Sequence, residues 1–170
     1  EYKGNTTPDT WKLFVACDQF NSGSDMLATD EEKIDLVRLN LRTAKVALEK
    51  TALLPASEYL RRTRQLIEID QVWKSDYNLG LDFYSTAAEV EYSLGNFDLS
   101  KSLVNTVLEY STCGTDSMRA NFTMISSLGG QGKFDQALEF AIDLLQGMGE
   151  KFPKKPHAGN ILKALLSTKL

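Results

Sequence analysis

Residues that could bind a nucleotide phosphate occur near position 132. Gly129-Gly130-Gln131-Gly132-Lys133-Phe134 is the nearest approach to the Gly-x-x-x-x-Gly-Lys-Ser/Thr loop that cradles phosphates. Phe134 occupies the place of the hydroxyl that would coordinate magnesium, and a helical pattern rather than a strand precedes the glycines. We therefore interpret the glycines as a helix stop and expect no cofactor.

Acid–base or nucleophilic catalysis would depend on a single histidine. His157 is the one histidine of the sequence, so Ser-His-Asp and Cys-His schemes would all need it. It follows the proline-containing connector 151–156, and we interpret it as a solvent-facing loop residue. An all-α enzyme that uses His157 is a third hypothesis, but the sequence predicts no catalytic residue.

Acidic residues cluster at Asp30-Glu31-Glu32 and Asp35. Carboxylates are the ligands that hard cations prefer, but acids at the start of a helix are also favoured by its dipole and caps. The sequence contains no Asp-Asp-x-x-Asp or Glu-x-x-His arrangement, which all-helical metal enzymes commonly use. We expect no metal site.

Tyr77, Tyr84 and Tyr92, with Phe83, recur at helical spacing. Such a row could line a groove for a peptide or a sugar. Aromatic side chains also dominate the packing of cores, so these residues could instead lie between helices. We favour the packing interpretation and keep the groove as the alternative.

Helices must position all of these residues, because apolar residues recur at helical intervals and no run alternates as strands do. Thr29 followed by Glu32 predicts a capping box, and no proline occurs between Pro55 and Pro153 to interrupt a helix. The patterns predict an all-α fold of about eight helices, at 11–20, 30–50, 55–67, 76–94, 97–110, 116–128, 134–148 and 157–170.

The tetrapeptide Gly95-Asn96-Phe97-Asp98 returns after 37 positions as Gly132-Lys133-Phe134-Asp135. In each copy we expect the glycine to close one helix with a positive φ, which other residues adopt only at a cost. The phenylalanine should fold back between the paired helices, where burial is worth roughly 2 to 3 kcal/mol. The aspartate should lie near the next helix's N-terminus, where negative charge is favoured.

Close helix approach needs small residues at the crossing points. Ala137 in the second copy, and Ala88 and Ser100 in the first, supply them. Ala44 and Ala56 occupy the matching places in an earlier, less regular pair of helices.

The sequence 132–138 resembles the turn between the two helices of a tetratricopeptide repeat, and 95–100 resembles it more loosely. The resemblance implies a right-handed α/α superhelix of stacked antiparallel hairpins. It divides the chain into an N-terminal helix and linker at 1–28, three hairpins within 29–149 and a connector with a terminal helix at 150–170. The hairpins span 29–70, 76–112 and 116–149, and the terminal helix would open a truncated next repeat.

A wider resemblance covers nearly the whole chain. The chain is similar to the helical region that follows the nucleotide-binding domain in predicted-ATPase signalling proteins. These proteins are often fused to serine/threonine or histidine kinase modules. The matching residues are Asn21-Ser22-Gly23, Arg38-Leu39-Asn40-Leu41, Tyr59-Leu60, Trp73, Tyr77-Asn78-Leu79, Tyr84, Ala87-Ala88-Glu89 and the segment 148–153. The resemblance implies a piece of a larger protein, and the family's nucleotide-binding motifs are absent from these residues.

The composition indicates which classes of molecule the chain is not expected to bind, through its charge and its cysteines. A net charge of −4 and a pI near 5.1 argue against nucleic-acid and anionic-membrane binding, and Arg61, Arg62 and Arg64 are diluted by nearby acids. Cys17 and Cys113 lack the spacing of a zinc site or a disulfide framework, so both are expected to pack as small apolar residues in a reducing, cytoplasmic setting.

The first functional hypothesis is a non-catalytic arm that binds a protein, a peptide or a neighbouring domain of its own parent chain. The alternative is a sensor whose concave side holds a sugar or metabolite and controls an attached ATPase. The sequence leaves the oligomeric state open.

Overall fold

A computed structural model describes residues 10–66 and 68–150 of the 170-residue chain. Within these ranges the chain is helical and contains no strand, which confirms the all-α prediction. A short 3-10 helix at Ser24–Met26 follows the first helix. The α-helices are α1 Thr10–Ser22, α2 Asp30–Glu49, α3 Leu53–Leu66, α4 Ile69–Ser75, α5 Tyr77–Ser93, α6 Phe97–Tyr110, α7 Met118–Gly130 and α8 Phe134–Gly147.

The described part holds eight α-helices, but they are not the eight that the sequence predicts. Helix α4 is additional, because the sequence pattern left 68–75 unassigned. The terminal helix predicted at 157–170, with His157, lies outside the described residues.

The chain divides into two compact units, residues 1–123 and 124–170. The first contains α1 to α6 and the first turns of α7; the second contains the rest of α7 and α8. The boundary lies within α7.

Helix starts follow local capping chemistry. Thr29 Oγ1 accepts the Glu32 N–H at 3.2 Å, and the Glu32 carboxylate accepts the Thr29 N–H at 3.0 Å, which is the predicted capping box. The N–H groups of Thr29 and Ala28 both donate to this carboxylate and hold the pKa of Glu32 below its usual value. Helix α5 begins in the same manner, with the Asp76 side chain accepting the Leu79 N–H at 3.1 Å.

One type of turn closes four helices. After α5, the Gly95 N–H donates to the Tyr92 carbonyl and the Asn96 N–H to the Glu91 carbonyl, each at 2.9 Å. This pair of bonds is a Schellman motif, which needs a residue with positive φ. Gly95 and Gly132 have φ of +79° and +73°, as the sequence predicts. The same bonding recurs after α2 at Thr51 and after α8 at Gly149, with φ of +58° and +95°.

The earlier pair α2 and α3 therefore has the same turn as the two recognisable copies, with Thr51 in the glycine position. In all three, the second helix begins two residues after the positive φ. A buried small residue follows five positions after it, namely Ala56, Ser100 and Ala137. The Ser100 hydroxyl donates to the Ala88 carbonyl at 2.9 Å across the α5–α6 crossing, so serine adds a bond that the expected alanine could not make.

The prediction that both phenylalanines insert between paired helices is wrong for Phe134. Its side chain is 70% exposed, while Phe97 is half-buried against Tyr92, with ring centroids 6.4 Å apart. Both are the first residues of their helices. Their shared position in the helix therefore does not set the burial; the residue equivalent to Tyr92 in the second copy is Gly129, so Phe134 lacks the neighbouring ring that covers Phe97. Asp98 and Asp135 lie in the first turns of α6 and α8 as expected.

Helix α4 supplies the centre of an aromatic cluster in the first unit. The Trp73 ring stacks on Tyr84 and on Tyr110, with centroids 5.7 and 5.0 Å apart. Gly80 of α5 lies against the same indole, where an added Cβ would approach two ring carbons to 2.8 Å. The absence of a side chain at Gly80 thus permits the close contact of α4 with α5.

Candidate functional site

The structure does not assemble the predicted groove from Tyr77, Tyr84 and Tyr92. Tyr84 is 3% exposed in the aromatic cluster, and burial raises its pKa to about 12. Tyr92 lies 15 residues beyond Tyr77 on α5, which at the rise of an α-helix is roughly 22 Å. The packing interpretation is therefore correct for Tyr84, and the three tyrosines do not share a site.

Tyr77 joins the start of α5 to the loop before α7. Its hydroxyl donates to the Asp116 carboxylate at 2.6 Å and accepts the Thr112 N–H at 3.0 Å. The bond from Tyr77 is the main reason that the pKa of Asp116 lies below its usual value. A hydroxyl with both roles filled fixes the loop and is not available to a ligand.

Charged side chains link the first helices of the three hairpins. Lys45 of α2 pairs with Asp82 of α5, and Arg119 of α7 pairs with the other oxygen of Asp82 at 3.0 Å. These three residues are spaced by 37 positions, the interval of the turn repeat. We call Lys45, Asp82 and Arg119 the charge ladder. Sequence reasoning missed it, although opposite charges at the repeat interval were a visible signal.

Further bonds extend the charge ladder on the same helices. The Arg119 guanidinium donates to both oxygens of Glu89, one at 2.7 Å, and to the Thr86 hydroxyl at 3.1 Å. Arg38 of α2 bridges Asp35 and the α5 cap residue Asp76, each at 3.0 Å. The side chains of Lys45, Asp82 and Arg119 are 37 to 40% exposed, so solvent screens the pairs. The pairs link α2 to α5 and α5 to the first turns of α7.

A polar cavity of about 520 Å³ lies between the end of α1, the following loop, α2 and α3. Its lining includes Lys33, Arg61 and Arg62 together with Asp25 and Glu58. Arg61 donates two bonds of 2.8 Å to the two Glu58 oxygens, and Arg62 donates a third of 2.8 Å. This cavity gives the arginine cluster a concave setting that the sequence did not predict.

Arg61 and Arg62 hold the carboxylate of Glu58, which is the anionic group closest to them in this cavity. Hydrogen bonds from Arg61, and then from Arg62, lower the pKa of Glu58 to about 2. The fork of Arg61 is occupied by Glu58, and the remaining N–H groups of the two arginines could donate to a further carboxylate or phosphate. Chemically, the cavity can accept a small polar molecule that carries an anionic group.

Among the described residues, no group of three His, Cys, Asp or Glu side chains is placed to hold a metal ion. In the acidic cluster, Glu32 caps α2 and Asp35 pairs with Arg38, which fits the helix-start interpretation. Across the described helices, none combines the length and apolar character needed to cross a membrane.

The two cysteines have different environments. Cys17 is buried, and its thiol donates to the Asn40 side-chain oxygen at 3.2 Å. Burial raises the pKa of this thiol. Cys113 is exposed, so the expectation that it packs as an apolar residue is wrong, because it lies in the loop before α7.

Large apolar side chains remain exposed on several helices. Trp11 and Val15 are 62% and 49% exposed on α1, and Phe122 is 71% exposed on α7. On α8, Phe134 and Leu138 are 70% and 61% exposed. Exposed apolar residues clustered on one face indicate a contact surface more often than isolated ones do.

The chain is similar to a short part of one large curated protein. No family model and no solved structure matches the chain. The chain is similar to hybrid signal transduction histidine kinase G of Dictyostelium discoideum, with 21% identity over 145 residues. The match covers 81% of this chain but 4% of that protein. No repeat family is matched.

Proposed function

We propose that the chain is a non-catalytic helical-repeat segment that serves as an interaction or regulatory arm of a larger signalling protein. The observation that carries the proposal is the repeated hairpin: one turn geometry at Thr51, Gly95 and Gly132, each followed by a helix and a buried small residue. Such units bury their apolar faces by stacking, and the stacked helices offer an extended surface to partners. A right-handed superhelix and a cytoplasmic location belong to the same proposal.

Two further findings support this role. The similarity to a signalling histidine kinase is confined to 4% of that protein, which is the scale of one segment within a multidomain chain. The charge ladder joins α2 to α5 and α5 to the first turns of α7 by directional bonds at the interval of the turn repeat.

The proposal is tested by cross-linking the segment, within its full-length parent protein, to the other domains of that protein. We expect reproducible cross-links from exposed lysines of the segment to one other domain or to a bound partner. Cross-links no more frequent than those of an unrelated helical protein of equal lysine content would refute the proposed function.

The polar cavity favours a second candidate, a sensor of a small anionic metabolite or sugar derivative. A ligand at about 100 times its dissociation constant should add roughly 2.7 kcal/mol to the free energy of unfolding. For a chain of this size, that is a rise in melting temperature of roughly 5 to 10 °C. Melting curves with a panel of sugar phosphates and dicarboxylates test it. Uniformly unchanged curves, or equal shifts in wild type and Arg61→Gln, would remove this candidate.

A further inference from the structure

The polar cavity between α1, α2 and α3 has the size of a small-molecule site. Its volume of about 520 Å³ falls within the roughly 300 to 1,000 Å³ that such sites occupy. Among the lining residues that the structure describes, Leu27 and Leu66 are apolar and none is aromatic. A nucleotide base would find no ring to stack on there. The lining therefore favours a hydrophilic ligand without a base.

The cationic part of the lining keeps donors that the Glu58 carboxylate does not use. Arg61 directs Nε and Nη2 at Glu58, and Arg62 directs Nε at it, each at 2.8 Å. The two terminal nitrogens of Arg62, Nη1 and Nη2, donate to none of the residues that the structure describes. Lys33 reaches the cavity from α2, and its described ion pair with Asp30 is long, at 3.9 Å. The Arg62 fork can therefore bind two oxygens of one phosphate, and Lys33 adds a positive charge.

Groups that recognise hydroxyls line the rest of the cavity. Ser24 and Asp25 come from the 3-10 helix after α1, and Gln65 comes from α3. Within the described part of the chain, these three side chains form no hydrogen bond or ion pair. Carboxylate and amide oxygens accept hydrogen bonds from sugar hydroxyls.

The charge of the lining suits a ligand with one anionic group. Three cationic and two anionic side chains leave the lining with a net charge of +1. A second anionic group on the ligand would be repelled by the two carboxylates, Asp25 and Glu58, whereas a hydroxyl would bind them.

We propose that the polar cavity binds a small soluble molecule with one phosphate group and several hydroxyl groups, a class that includes the hexose monophosphates. The phosphate binds Arg62 and Lys33, and the hydroxyls bind Asp25 and Gln65. The inference rests on the sensor candidate of the proposed function, since it names the class of ligand. The net charge of −4 disfavours attachment to an anionic membrane, so the phosphate belongs to a soluble molecule rather than to a lipid headgroup.

Isothermal titration calorimetry on the whole chain tests the ligand class with three matched probes. They are glucose phosphorylated at its primary hydroxyl, unphosphorylated glucose and inorganic phosphate. We expect phosphorylated glucose to bind at least about tenfold more tightly than either of the other two, because each of them makes only part of the contacts. Malate, with two carboxylates, and adenosine monophosphate, with a base, should also bind at least about tenfold more weakly than phosphorylated glucose.

Two variants separate the two ends of the site. Arg62→Gln should weaken the binding of both phosphorylated glucose and inorganic phosphate by at least about tenfold, since it removes the forked donors. Asp25→Ala should weaken phosphorylated glucose by about fivefold and leave inorganic phosphate unweakened, since it removes an acceptor for a hydroxyl. Arg42→Gln is the matched control, because Arg42 is an exposed arginine of α2 outside the lining. Circular dichroism checks the fold, and Lys33→Gln, on a different helix, repeats the test if Arg62→Gln unfolds.

The outcomes distinguish this inference from the proposed function. Phosphorylated glucose that binds no more tightly than inorganic phosphate, or equal losses in Arg62→Gln and Arg42→Gln, would overturn the inference. Tighter binding of malate or adenosine monophosphate than of phosphorylated glucose would overturn it but retain a sensor of another anion. If no probe binds, both the inference and the sensor candidate are refuted, and the interaction arm is still judged by its cross-links.

Discussion

Thr51→Gly should stabilise the protein, although it removes a side chain. Thr51 has φ of +58°, a left-handed conformation that costs an L-residue roughly 1 to 2 kcal/mol. The threonine side chain is exposed and bonds its neighbour's carbonyl, so its loss creates no cavity. Glycine adopts this conformation without that cost. Its greater conformational freedom in the unfolded chain, however, lowers the free energy of unfolding by roughly 0.5 to 1 kcal/mol. The net gain is about 0.5 to 1 kcal/mol.

Urea denaturation followed by far-ultraviolet circular dichroism measures this gain as a higher midpoint at unchanged slope. Lys50→Gly is the matched control, because Lys50 precedes Thr51 with φ of −92°. Glycine there gains nothing and should destabilise by about 0.5 to 1 kcal/mol. The reciprocal change Gly95→Thr should cost at least about 1 kcal/mol, since a Cβ there meets no neighbour within 4 Å and the penalty is conformational.

The reasoning would be refuted if Thr51→Gly were no more stable than wild type, or if it lost as much stability as Lys50→Gly. Either result would mean that the α2–α3 turn does not strain the threonine backbone, and that this turn is not a copy of the turns at Gly95 and Gly132.

Three other perturbations test the packing, the charge ladder and the buried tyrosine. Gly80→Ala should lower the free energy of unfolding by about 1 kcal/mol, because the overlap of the new Cβ with Trp73 at 2.8 Å outweighs the helical preference of alanine. Gly129→Ala is the control: a Cβ there meets no neighbour within 4 Å, so the free energy of unfolding should not fall. Arg119→Gln should cost about 1 kcal/mol at low salt and less at high salt in urea titrations, whereas Arg42→Gln, an exposed arginine on α2, should cost almost nothing. The pKa of Tyr84 is about 12 in the folded state and about 10 in the unfolded state. The neutral side chain therefore contributes roughly 2 to 3 kcal/mol to the free energy of unfolding below pH 10, and this contribution is lost as the pH rises toward 12. Tyr84→Phe should flatten this alkaline decline in stability, and an unchanged pH profile would contradict the assignment.

Sequence reasoning succeeded where the structural cause is local. Helix periodicity, the capping box at Thr29 and the left-handed glycines at 95 and 132 each depend on residues within about one helical turn. It failed for α4, a helix of seven residues that is too short to show a clear period. It also placed Phe134 in a crossing, because the turn motif is the same in both copies, whereas the burial of its phenylalanine depends on the neighbouring side chains.

The candidate surfaces were harder to predict than the helices. The pairing of Lys45 with Asp82 and of Asp82 with Arg119 requires three hairpins to align, and the polar cavity requires α1 and the following loop to close over α3. Such contacts join residues dozens of positions apart. No local pattern encodes their distance.

The amino-acid sequence by itself determined that this protein is helical, that one turn repeats, and where most helices begin and end. These features depend on hydrogen bonding and apolar spacing within a helix, which are short-range. Tertiary structure alone decided that Thr51 takes the left-handed position, that Tyr84 is in the core, and that Leu138 faces outward. Those outcomes depend on which helix lies against which, and the packing energy of neighbouring helices can override the preference of a single residue.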